Sequence, residues 1–175
     1  MVDEFPWLTV LWLTPAVGAV VVVVLPARAR EAAKWVALGF ALVVLVVAVL
    51  LAVRFDPGGA HYQFVESHRW IPALGTRYDL GVDGIALVLT LLTAALVPLL
   101  LIAGWHDARA QEGPRRLAVH IYAALILLVE AMVLISFFAL DVLLFYIFFE
   151  AMLIPMYFLI GGFGQGAKAS QAAVK

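Results

Sequence analysis

The 175-residue chain contains no cysteine, which excludes disulfide bonds, iron-sulfur ligation, thiolate zinc sites and cysteine nucleophiles within it. Redox chemistry in which the chain takes part must be carried by other polypeptides. Charge is almost as scarce. Lys, Arg, Asp and Glu make up 13% of residues, and 11 basic residues nearly balance 12 acidic ones along the whole length rather than in a patch. That is not the footprint of a nucleic-acid-binding surface. No glycine-rich phosphate loop follows a strand either, since GGFGQG comes after an apolar helix. The first residues, MVDEF, carry Asp3 and Glu4 where a cleavable signal peptide has basic residues, so the first apolar run is expected to be a retained helix.

Apolar residues dominate instead, at 66% of the chain, with a mean hydropathy of +1.08. A bilayer core of about 30 Å requires about 20 apolar residues per helical crossing. Five runs meet that length: Phe5 to Leu25, Trp35 to Val53, Ile85 to Trp105, Leu117 to Leu140 and Val142 to Ile160. The expected fold is an all-α integral membrane protein with about five transmembrane helices in a single membrane domain over residues 1–175. Polar, turn-rich breaks such as PARAREAAK, DPGGAH and HDARAQEGPRR separate the runs. Only the fourth and fifth are joined with almost no loop, which predicts a tight antiparallel pair.

Orientation follows from the basic residues. With the N-terminus outside, the inner segments hold Arg28, Arg30, Lys34, Arg109, Arg115, Arg116, Lys168 and Lys175, eight of the 11. The other three, Arg54, Arg69 and Arg77, fall in one long outer loop, residues 54–83. There, YQFVESHRWIP and TRYDLGVDG alternate aromatic or β-branched residues with polar ones around Pro72 and Gly75, which predicts a short β-hairpin over the outer helix ends. Trp7, Trp12, Trp35, Trp70 and Trp105 lie near span ends, where amphipathic rings favour the interface.

The fifth run is interrupted by Glu150. A charged residue at a helix centre costs roughly 3 kcal/mol on insertion scales, against about −0.3 to −0.6 for each of the twelve Val, Leu, Ile and Phe residues around it. The helix still inserts, so insertion neither forbids the glutamate nor explains it. Intramembrane carboxylates are rare, and they commonly belong to ion or proton paths. Tyr146, Leu153 and Tyr157 share the helical face of Glu150. Pro155 has no N–H, so it leaves the carbonyl of Ala151 without its helical partner and favours a bend. Without Glu150, the same residues would describe an ordinary proline-containing packing helix with aromatic knobs.

Glu130 is the second carboxylate within a span. It and Glu150 each stand ten residues from Leu140, so an antiparallel pair turning there places them at one depth. If they also face each other, two carboxyls in an apolar setting compete for protons, a natural arrangement for proton transfer. The alternative is that Glu130 points to a neighbouring helix or subunit. Other polar residues have plainer roles. Asp83 and Asp141 suit the N-caps of the third and fifth helices. Thr90, Thr93 and Pro98 satisfy or bend the third, and His120 and Tyr122 lie near the start of the fourth. His61, Glu66 and His68 in the outer loop have no specific metal spacing, and no metal is assigned.

ALDVLLFYIFFEAMLIPMYFLIG, Ala139 to Gly161, resembles the fifth membrane helix of the antiporter-like subunits of proton-pumping NADH:quinone oxidoreductase, respiratory complex I. WIPALGTRYDLGVDGIALVLTLLT, Trp70 to Thr93, is similar to the outer loop and third helix of the same family, and the likeness is greatest to its chain M branch. The resemblance implies a non-redox, proton-translocating subunit of a bacterial inner membrane, with no catalysis by this chain alone. Glu150 would lie in the proton path and pair with a lysine on a later helix; Glu130 receives no role from it. Partners would be other membrane-arm subunits, the lipid bilayer and protons. NADH, FMN, iron-sulfur clusters and quinone would be held by partner subunits, with no cofactor in this chain. Family members carry many more helices, so residues 161–175 are expected to begin a sixth helix that is otherwise missing, as in a truncated chain. Two competing readings are a subunit of a multisubunit Na⁺/H⁺ antiporter and a truncated packing or assembly element without transport.

Overall fold

The computed structural model describes residues 5–26, 29–107 and 119–163. Five helices follow in order: α1 (Trp7–Val24), α2 (Arg30–Arg54), α3 (Gly84–Asp107), α4 (Val119–Phe138) and α5 (Val142–Phe163), all long and apolar enough to cross a membrane. Two strands, β1 (Gln63–Ile71) and β2 (Thr76–Val82), form an antiparallel hairpin between α2 and α3. The hairpin expected between the second and third spans is therefore present.

The helix boundaries track the apolar runs with two main differences: α5 continues past Ile160 to Phe163, through residues expected to begin a sixth helix, and α2 starts early. α2 begins at Arg30, five residues before the run starting at Trp35, and so takes in Glu31 and Lys34. Lys34 is buried and pairs with Glu31 at 3.6 Å. Arg, Glu, Ala and Lys are good helix formers, so the helix continues back through residues that hydropathy alone assigns to a loop. Pro15, Pro98 and Pro155 all lie inside continuous helices. Residues 164–175, where a sixth helix and Lys168 and Lys175 are expected, lie outside the described residues.

In α2, which is apolar on all sides over most of its length, what distinguishes the inner face is size. The buried stripe of α2 is Ala33, Ala37, Ala41, Val44, Ala48 and Leu51, mostly small side chains that let helix backbones approach, the common solution for packing in lipid. Larger residues such as Val46, Val53, Ile85, Val88 and Leu99 remain on the outside. Gly18 of α1 marks the tightest approach, because a Cβ there would lie 2.6 Å from Cγ of Phe40. α4 is the central helix and packs against all four others.

At the tip of the hairpin, Pro72–Leu74 forms one 3₁₀ turn, and Gly75 closes it at φ 68°, a left-handed conformation that suits glycine. Near the base, the register passes from Gln63↔Val82 to Glu66↔Leu80, so β1 carries an extra residue there, and Phe64 adopts φ 54°. This bulge resets the alternation of β1, with Glu66 opposite Leu80 on the face turned to the helices. Ser67, Arg77 and Asp79 hydrogen-bond one another on the other face.

Candidate functional site

The hairpin gathers the helix ends on its side of the bundle. The first turn of α1 has no side-chain cap of its own, since Pro6 precedes it. Glu66 supplies one from 57 residues away. Its Oε1 accepts from the Leu8 N–H at 2.7 Å and the Thr9 N–H at 3.2 Å, and its Oε2 accepts from the Thr9 hydroxyl. A carboxylate at the positive end of a helix dipole, bonded to its free N–H groups, is a favourable pairing. The Tyr78 hydroxyl extends the network, 2.8 Å from Thr9 Oγ1 and accepting from Trp12 Nε1 at 2.9 Å. Burial holds the Tyr78 phenol above its ordinary pKa of 10.0. Glu66 is thus engaged as a structural carboxylate, and among the described residues no group of three His, Asp or Glu side chains is placed to hold a metal.

The other strand holds the α4–α5 turn. The Leu140 N–H donates to the Asp79 carbonyl at 2.9 Å, and Gly81 is packed so closely that a Cβ would meet Leu140 Cδ1 at 2.8 Å. Asp141 caps α5 as expected, accepting from Leu143 N–H at 2.8 Å and Leu144 N–H at 3.3 Å, while its second oxygen accepts from the Arg77 N–H at 3.2 Å. The Arg77 bond, with those from Leu144 and Leu143, holds the Asp141 carboxyl below its ordinary range. Asp83 caps α3 through the Ala86 N–H at 2.7 Å. Arg54 lies over the Trp7 ring at 4.6 Å and ties the end of α2 to the start of α1.

Against this scaffold the two membrane carboxylates occupy opposite environments. Glu130 is 1% exposed in the centre of the bundle, and among the described residues neither carboxylate oxygen has a hydrogen-bond partner. Glu150 is exposed on the outer face of α5, as are Tyr146, Leu153 and Tyr157, while Pro155 is buried. The helical spacing that puts Glu150 and the two tyrosines on one face is therefore realised. The condition that the glutamates face each other is not met: α5 seats Leu144 and Pro155 inward, which turns Glu150 away from the bundle. α5 also buries the least of itself of the five helices. Its contacts run through Trp12–Phe148, with ring centroids 5.6 Å apart, and Tyr122–Phe163, 5.1 Å apart.

Comparison with known proteins accounts for this arrangement of helices. The family described as "NADH:quinone oxidoreductase/Mrp antiporter, TM" matches residues 139–175, the segment that contains Glu150. NADH-quinone oxidoreductase subunit M of Mycobacterium tuberculosis (strain ATCC 25618 / H37Rv) is 53% identical over 195 residues, covering 99% of this chain and 35% of that protein. Over nearly its whole length the chain is similar to the N-terminal part of NADH-quinone oxidoreductase subunit M. Subunit M of Rhodobacter capsulatus is 40% identical, with 96% of this chain and 31% of that protein covered. NADH-ubiquinone oxidoreductase chain 4 of Arabidopsis thaliana is 33% identical, with 93% and 32% covered. The chain thus spans about a third of the length of these relatives and matches their N-terminal part. A chain of respiratory complex I from Thermus thermophilus with bound NADH shares the fold, with a TM-score of 0.71 and 24% identity over 95% of this chain and 31% of that one.

What the sequence missed is the role of Glu66. Its partners are backbone N–H groups on another element, and no local spacing encodes such a contact. The only signal available was a helix start with proline, rather than Ser, Thr, Asp or Asn, before it, which leaves a cap to be supplied from elsewhere.

Proposed function

We propose that the chain is part of a proton-translocating membrane-arm subunit of NADH:quinone oxidoreductase and that Glu150 is a protonatable residue of its proton path. The observation that carries this reading is the position of Glu150, on an uncovered face of α5 with Tyr146 and Tyr157, within the segment matched by the family. A carboxylate at mid-helix facing lipid is costly, and such residues as a rule face protein or a wet cavity. The Glu150 face is therefore a surface for further membrane helices, and a cation among them, a lysine in the family resemblance, would stabilise the ionised form. Tyr146 and Tyr157 offer hydroxyls along the same face for water or proton exchange. Pro155 leaves the Ala151 carbonyl as an additional acceptor.

In this reading the N-terminus and the hairpin are outside a bacterial inner membrane, and the partners are other membrane-arm subunits and lipid. NADH, FMN, iron-sulfur clusters and quinone belong to partner subunits. The relatives' names favour a quinone-reductase subunit over a subunit of an Na⁺/H⁺ antiporter. The test is Glu150→Gln in the assembled oxidoreductase. NADH-driven proton pumping is expected to be lost with assembly largely intact, and wild-type pumping by the variant would refute the reading.

A further inference from the structure

Glu130 has a separate place in the molecule. The buried surface of α4 belongs to two apolar clusters. Leu134, Ile135 and Phe138 join Leu8 and Leu11 at the hairpin end, while Ala123, Ala124, Ile126 and Leu127 join Ala19 and Val22 towards the other. Glu130 sits between them, 1% exposed, with both carboxylate oxygens buried and, among the described residues, unpartnered. Thr90 of α3 is also 1% exposed, and its hydroxyl is buried without a partner. Thr90 is six residues into α3 and Glu130 eight from the end of α4, both counted from the hairpin side. At 1.5 Å per residue, the two lie within about 3 Å of one depth.

Among the described residues, the elements packed on α4 bring no counter-charge to this depth. α1 contains no charged residue, and the charges of α2 are Arg30, Glu31 and Lys34 at one end and Arg54 at the other. α3 has His106 and Asp107 in its last turn. On α4 itself, His120 is ten residues away, about 15 Å along the axis, and Tyr122 is eight residues away, about 12 Å. On α5, Glu150, Tyr146 and Tyr157 are exposed, and Arg77, Tyr78 and Asp79 of β2 stay at the hairpin end. A carboxyl in such surroundings must hold a proton or be met by water or a cation.

We propose that Glu130 is a proton-binding site in the interior of the bundle, distinct from the Glu150 face, which binds and releases its proton through water reaching the unpartnered polar groups between the two apolar clusters. Its place on the path of translocated protons rests on the function proposed above; its binding of a proton does not.

Infrared spectra of the assembled oxidoreductase test the binding site. Wild type minus E130Q at neutral pH is expected to show a protonated-carboxyl C=O band that shifts in D₂O. An absent band, meaning an ionised Glu130, or one that does not respond to D₂O, meaning a proton that does not exchange, overturns the proposal. E130D guards against a repacking artefact in E130Q, because it should retain a protonated-carboxyl band at a shifted position, and loss of that band counts against the site. Pumping separates the two claims. A severalfold fall in protons pumped per NADH in E130Q, recovered in part by E130D, places Glu130 on the path. Wild-type pumping in E130Q with loss in E150Q removes Glu130 from the path and leaves the proposed function standing. Wild-type pumping in both variants overturns that function instead.

Discussion

Glu130 and Glu150, each ten residues from Leu140 on adjoining antiparallel helices, face opposite ways: one is enclosed by the bundle and the other is exposed on its outer surface. Their chemistry is divided accordingly. Glu150 is accessible to groups beyond the five helices, whereas Glu130 is accessible only to what enters them.

The Glu66 cap should be a principal attachment of the hairpin to α1. Glu66→Ala leaves the N–H groups of Leu8 and Thr9 without their acceptor, and a loss of about 1–2 kcal/mol is expected, with Glu66→Gln intermediate. Thermal unfolding of the purified protein in detergent checks this, and an unchanged midpoint for Glu66→Ala would contradict it.

Tyr78→Phe removes one hydroxyl that serves both Thr9 and Trp12 and leaves the Trp12 indole N–H unpaired. The expected loss is about 1 kcal/mol, readable in the same unfolding experiment. Trp12 fluorescence should change in the folded state as its environment loses the hydrogen bond.

Asp141 makes the α4–α5 turn sensitive to acid. Its carboxyl is held below the ordinary value of 3.8 chiefly by the Arg77 N–H. The folded state therefore favours the ionised form, so this stabilisation is present above about 3.8 and is lost as pH falls through the lower folded value. Asp141→Asn should flatten the acid limb of the stability profile, and an acid limb as steep as wild type would show that other groups dominate it.

Gly18→Ala places a methyl group 2.6 Å from the Phe40 ring, so α1 and α2 must separate or the ring must move. A loss of about 1–3 kcal/mol is expected from overpacking. At Gly39, where a Cβ meets nothing within 4 Å, alanine should be tolerated without loss, which makes it the control.

Helix number, the hairpin and the caps at Asp83 and Asp141 were legible because each is written locally, in an apolar run, an alternation, or a polar residue just before a helix. The common face of Glu150, Tyr146 and Tyr157 was equally legible from helical spacing. Which way that face turned was not, because α5 is apolar on all sides and its rotation is decided by which residues fit against α1 and α4. Leu144 and Pro155 fit, and Glu150 is carried outward. The hairpin bulge that aims Glu66 at α1 was hidden for a similar reason, since the register is set by pairing with β2 and not by β1 alone.

The most direct measurement is proton translocation per NADH oxidised in membrane vesicles containing the oxidoreductase with Glu150→Gln. Loss of pumping with the subunits still assembled is the predicted result; pumping equal to wild type would contradict the role assigned to Glu150.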